Sequence, residues 1–135
     1  MPRTRYEPGP DRQRLNEILG EIARIAGLFC EHDPLVHGVT KLFRRRCGKP
    51  TCRCRKGSPH ETLVLVDRSS GSRKVRKVSR PQQRALRGPT QAYRRLKRLR
   101  VRLGELHREV LKIGDRLCRF RLRAGEELLL RLRMR

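Results

Sequence analysis

Residues 47 to 60 read Cys-Gly-Lys-Pro-Thr-Cys-Arg-Cys-Arg-Lys-Gly-Ser-Pro-His. Cys47, Cys52, Cys54 and His60 fall within fourteen residues, at the spacing C-x4-C-x-C-x5-H. Three thiolates and one imidazole complete the tetrahedral shell of a structural zinc ion. Gly48, Pro50, Gly57 and Pro59 punctuate the run and make it a folded loop rather than a helix or strand. Lys49, Arg53, Arg55 and Lys56 fill the gaps. A metal-bound loop of this composition holds dense positive charge on a rigid frame. The centre itself carries about −1, from zinc and three thiolates, which the neighbouring cations offset.

Two other readings compete. Three local cysteines cannot pair evenly as disulfides, and Cys52 and Cys54 are too close for an unstrained bridge. The N-terminus is rich in Pro and Arg with no apolar h-region, so a signal peptide is not expected. A reducing cytoplasm follows as the expected location, where clustered Cys and His bind metal more often than they pair. The second alternative is that these are ordinary small buried residues. His60 is the least constrained ligand by spacing alone; His37 or Cys30 can take its place.

The elements that must position the loop follow from hydrophobic periodicity. Residues 1–10 contain three prolines and a glycine and are expected as a flexible arm. An N-terminal helix is expected over 11–33, with Asp11 as its N-cap. Leu15, Ile18, Ile22, Ile25 and Phe29 recur at spacings of 3, 4, 3 and 4 on it. Residues 38–80 are expected to hold the zinc loop and a three-stranded sheet. Its strands are 38–46, 62–68 and 73–79, with a turn at Ser69-Ser70-Gly71-Ser72. Val75 and Val78 break strict alternation, which implies either a bulge or a poorly specified register.

The remainder, 81–135, is expected as a short helix, a long helix and a basic tail. Ser79-Arg80-Pro81-Gln82 resembles a capping box, and Gly88-Pro89 is expected to end the short helix. The long helix carries Ala92, Leu96, Leu99, Leu103, Leu106, Val110, Ile113, Leu117, Phe120 and Ala124, a heptad pattern longer than the first helix can match. At 1.5 Å per residue the two stripes span roughly 30 and 50 Å. The uncovered part, placed around Val110 to Phe120, is expected to meet a second copy of the chain or a protein partner. Glu17 and Glu21 on the first helix are expected to meet basic flanking positions of the long one, Arg100, Arg102, Arg116, Arg121 and Arg123, as seam charges. The fold class expected is α+β: N-terminal helix, three-stranded antiparallel sheet with an inserted zinc loop, and a long C-terminal coiled-coil-like helix.

The net charge of this 135-residue chain is +23, and it is unevenly spread. Residues 1–35 hold five Arg and six acids; residues 36–135 hold 31 Lys and Arg and seven acids. Arg makes up 29 of the 36 basic residues. Its planar fork engages phosphate bidentately, although a GC-rich genome also raises Arg content. Such a charge repels itself without a polyanion, so nucleic acid is preferred as partner over a membrane surface or an acidic protein. No apolar run approaches the ~20 residues that span a bilayer.

The residues assigned to nucleic-acid contact are Arg44, Arg45, Arg46, Lys49, Arg53, Arg55, Lys56, Arg73, Lys74, Arg76 and Lys77, with Arg94, Arg95 and Arg98 on the long helix. Aromatics are few, and only Phe43 adjoins a run of three basic residues, Arg44-Arg45-Arg46, so contact with backbone and shape is expected ahead of base stacking. RNA within a ribonucleoprotein is preferred over duplex DNA, because no helix presents Asn or Gln to base edges. The alternatives are a DNA-binding accessory protein and a coiled-coil adaptor for an acidic partner. Catalysis is not expected: four protein ligands leave zinc no open position, and Glu61 and Asp67 stand nearly alone near the loop.

The string CGKPTCRC, a His six residues beyond it, a hairpin and a helix containing Tyr93-Arg94-Arg95-Leu96 resemble a family of short uncharacterised basic prokaryotic proteins. Their shared core reads CGKPxCxC, and the likeness covers about residues 38–100. It implies the zinc-loop and hairpin architecture and assigns no activity. The chain departs from the family pattern at Glu61, in the aliphatic strand Leu63-Val64-Leu65-Val66, and at Gly88-Pro89.

Overall fold

The computed structural model describes residues 6–133. It is an α+β arrangement of two helices and a three-stranded antiparallel sheet, in the order α1 (Pro8–Phe29), β1 (Val39–Arg45), β2 (His60–Asp67), β3 (Lys74–Lys77) and α2 (Arg80–Arg131). The chain divides into two compact units. One holds the residues up to Glu31 and from Arg98 onward; the other is His32–Lys97.

The helical unit pairs α1 with the C-terminal part of α2. Ile18, Ile25, Leu106 and Ile113 are buried at its centre, flanked by Leu15, Ile22, Leu99, Leu103, Val110 and Leu117. Each fully buried Ile or Leu contributes roughly 1.5–3 kcal/mol. Three ion pairs fix an antiparallel register: Asp11 with Arg116 at 2.6 Å, Arg14 with Glu109 at 2.8 Å, and Glu21 with Arg102 at 2.8 Å. Beside the first, the Tyr6 hydroxyl donates to Asp11 at 2.7 Å, and its ring packs on Phe120 with centroids 5.6 Å apart.

This pairing corrects the expected division of the long stripe. Val110, Ile113 and Leu117 are covered by α1 of the same chain. The exposed apolar residues near the end of α2 are Leu122, Leu128, Leu129 and Leu130. The first helix begins at Pro8, three residues ahead of expectation, because Pro at N1 is pre-set for a helix start. Residues 8–10 are therefore helical; residues 1–5 of the expected arm lie outside the described residues. Asp11 is inside the first turn rather than at the cap, and the helix stops at Phe29, four residues early.

In the sheet unit β1 pairs with β2 from Val39↔Val66 to Arg45↔His60. The β2–β3 pairing runs unbroken from Val64↔Lys77 to Asp67↔Lys74, so the expected bulge is absent. Val64, Leu65 and Val66 are all buried, which covers this stretch of the central strand on both faces. Gly38 enters β1 with φ +123, and a Cβ there would lie 2.7 Å from the Val66 carbonyl oxygen, so only glycine fits.

The reciprocal cap of α2 matches the expectation. The Ser79 N–H donates to Gln82 Oε1 at 2.7 Å, and the Gln82 N–H donates to Ser79 Oγ at 3.3 Å. Gly88-Pro89 does not end the helix, which runs through it for 52 residues in all. Pro89 supplies no N–H, so one helical bond, to the carbonyl of Ala85, is missing. The Val36 N–H donates to the Pro89 carbonyl at 3.3 Å, and the buried Thr90 hydroxyl donates to Leu86 O at 2.7 Å.

Candidate metal centre and its basic surroundings

The loop leaves β1 at Arg45 and returns as β2 at His60, two residues that face each other across the sheet. The ladder thus brings Cys47 and His60 to the same end of the hairpin. Between them the chain turns twice. Gly48 takes φ +77, and the Cys52 N–H donates to Lys49 O at 3.2 Å across a turn with Pro50 in its second position. A short 3-10 turn, Arg53–Arg55, then carries the buried Cys54 inward.

Cys47, Cys52, Cys54 and His60 come together, with their ligand atoms all within 4.8 Å of one another. The Cys47 and Cys54 sulfurs are 3.6 Å apart, and Cys52 Sγ is 3.1 Å from His60 Nε2. Thiolates held about 2.3 Å from a tetrahedral ion stand roughly 3.8 Å from each other. The four residues can therefore hold one metal ion with small adjustments. The Lys49 backbone N–H, then the side chains of His60, Cys52 and Cys54, hold the Cys47 thiol down at about 6. Cys52, lowered by the Cys54 backbone but raised more by the Cys54 and Cys47 side chains, ends above its ordinary value, so negative charge in the cluster settles first on Cys47.

A second layer supports the cluster. The Cys47 N–H lies 3.5 Å from Cys54 Sγ. Arg46 Nη1 donates to both Cys54 O and Arg55 O at 2.7 Å. His37, the alternative ligand, is engaged elsewhere: its Nδ1 is 2.6 Å from Asp67 Oδ1. Cys30 is the exposed C-cap of α1. Of the three candidates for the fourth position, His60 is the one inside the cluster.

The basic residues assigned to nucleic acid divide by position. Lys49, Arg53, Arg55 and Lys56 are exposed on the loop. Arg46 is committed to the loop carbonyls and Arg44 pairs with Glu61 at 2.8 Å, so neither is a free cation. Strand alternation splits the rest. Lys41, Arg45 and Lys77 share a face with His60 and Val64, whereas Arg44, Lys74 and Arg76 share the other with Glu61 and Leu65. Arg73 lies over the Phe43 ring, 5.3 Å from its centroid, on the first face. Phe43 is half-buried under that guanidinium rather than in a core. Arg94 and Arg95 lie on α2 within the sheet unit, and Arg98 lies in the helical unit.

One feature escaped the sequence reading. His37 and Tyr93 approach to 4.8 Å between ring centroids and border a cavity of about 300 Å³. The residues are 56 positions apart, and no spacing rule connects them. Among the described residues, no helix is long and apolar enough to cross a membrane. A scan of known protein families, of curated proteins and of solved structures found no match to this chain.

Proposed function

We propose that this chain is a non-catalytic, zinc-stabilised nucleic-acid-binding protein of the cytoplasm, with RNA preferred over DNA. The observation that carries the reading is the cluster of Cys47, Cys52, Cys54 and His60 inside a loop bearing Lys49, Arg53, Arg55 and Lys56. Zinc suits this donor set because three soft thiolates and one imidazole match its tetrahedral preference. The carboxylates near these cations are already engaged: Glu61 with Arg44, and Asp67 with His37 and the Ser69 N–H. A polyanion approaching the loop meets positive charge without competing acids. The metal fixes those charges in advance, which lowers the ordering cost of binding. The CGKPTCRC likeness to short prokaryotic proteins agrees with a metal loop on a hairpin and is silent on the ligand.

The test is a titration of labelled single-stranded RNA, duplex RNA and duplex DNA with the metal-loaded protein across a salt series. Six to ten phosphate contacts would weaken affinity roughly 10³–10⁵-fold between 50 and 200 mM salt. Neutralising Arg53, Arg55 and Lys56 together should flatten that dependence. Neutralising Arg94, Arg95 and Arg98 provides the comparison. If only the helix variant loses affinity, the loop is structural and the binding surface lies on α2.

A further inference from the structure

The cavity beside β1 combines two aromatic rings with four cations. His37 and Tyr93 form an aromatic corner, and Lys41, Arg68, Arg94 and Lys97 surround it. Val39 and Val66 of the sheet provide apolar lining. None of the four cations takes part in an ion pair among the described residues. No acid lines the cavity among the described residues, and Asp67, which contacts the lining His37, is occupied: it accepts from the Ser69 N–H at 2.8 Å and faces His37 Nδ1 at 2.6 Å. Those contacts hold the imidazole in one orientation, and the imidazole in turn packs on Tyr93. The aromatic corner is thus fixed before any ligand arrives.

An aromatic ring beside unpaired cations suits a planar ring carrying phosphate. The volume of about 300 Å³ is at the lower end of small-ligand pockets and excludes a duplex. Bases stack on aromatic side chains while flanking Lys and Arg hold the backbone. Lys41 also shares its sheet face with Arg45 and Lys77, so a strand leaving the cavity meets further cations toward the metal loop. We propose that the cavity between His37 and Tyr93 receives one unpaired nucleotide of a bound strand. Its base lies against the Tyr93 ring, and its phosphates lie on Lys41, Arg94 and Lys97. The proposal rests on the nucleic-acid reading and adds a preference for single-stranded over fully paired substrate.

The experiment compares a short single strand with a blunt duplex of the same sequence, using the full-length, metal-loaded protein and fluorescence anisotropy. Tyr93→Leu should weaken single-strand binding roughly 5- to 150-fold, the range for losing one stacked base, and leave duplex binding unchanged. Tyr93→Phe keeps the ring and should bind as the parent does, which separates stacking from misfolding. Lys41→Gln and Lys97→Gln should each lower the single-strand salt slope by about one. As an independent readout, a strand bearing a photoreactive pyrimidine should crosslink to the peptide containing Tyr93. Equal losses on both substrates, an unaffected Tyr93→Leu protein, or crosslinks confined to the metal loop overturn the nucleotide site alone. A parent protein that binds neither substrate overturns the function and the site together.

Discussion

Arg46 Nη1 lies 2.7 Å from the main-chain carbonyl of Cys54, the buried member of the metal cluster. The same nitrogen reaches Arg55 O at 2.7 Å. One guanidinium therefore ties the end of β1 to the 3-10 turn that carries Cys54. Losing such a support around a metal site costs roughly 10- to 100-fold in metal affinity. Arg46→Ala should therefore release zinc to a chromogenic chelator at correspondingly lower chelator concentration. Arg53→Ala should instead leave zinc retention unchanged and lower the salt slope of nucleic-acid binding by about one. The reverse pattern would return Arg46 to the phosphate-binding set.

The cluster geometry separates three candidate ligands. His60→Ala and Cys52→Ser should each lose the metal and loosen the β1–β2 hairpin, since ligation is coupled to folding. His37→Ala and Cys30→Ser should retain one zinc per chain. Elemental analysis of each purified variant reads the difference directly. A parent protein free of metal would remove the premise.

The helical unit is expected to depend on its four central side chains. Ile18→Ala or Ile113→Ala should cost about 2–5 kcal/mol in chemical denaturation followed by ellipticity. Leu111 is 68% exposed, and Leu111→Ala should fall within about 0.5 kcal/mol of the parent. Similar effects at Leu111 and Ile113 would mean that another surface covers the exposed side of α2.

Acid should weaken the same unit at its open end. The Arg116 guanidinium, then the Tyr6 hydroxyl, lower Asp11 from 3.8 to about 2. A carboxyl lowered in the folded state stabilises it above the unfolded value, and the benefit fades as pH falls through the folded value. Asp11→Asn should therefore lower the melting temperature at pH 7, with the gap shrinking through pH 2 and closing only well below it. A gap that does not shrink between pH 4 and pH 2 would assign the effect to something other than this charge.

The sequence carried the local devices well. The Ser79–Gln82 cap, the turn at Ser69–Ser72 and the Cys/His loop depend on neighbours within a few residues, and each forms as read. Of the expected seam charges, Glu21, Arg102 and Arg116 pair between the helices, whereas Glu17 pairs with Arg14 on its own helix and Arg100, Arg121 and Arg123 form no ion pair among the described residues. The part of the long stripe that α1 covers was not legible, because heptads repeat and every register satisfies the apolar pattern. The ion pairs Asp11–Arg116, Arg14–Glu109 and Glu21–Arg102 select one. Continuity through Pro89 was not legible either, because a proline removes one helical N–H and reads locally as a helix end. Arg46, next to two arginines, read as a phosphate contact; only the path of the loop turns it toward the Cys54 carbonyl.

His60 is at once the first residue of β2, the partner of Arg45 and a member of the metal cluster. A hairpin paired one position out of step would turn Val64 and Val66 to the opposite face. It would also swing His60 away from the three cysteines. A mispaired chain would thus forfeit its fourth ligand, whereas a correctly paired one presents all four together. If the cluster takes up an ion as proposed, metal uptake would act as a proofreading step on strand alignment, and a chain starved of metal during synthesis should accumulate as a mixture of registers rather than as one apo fold.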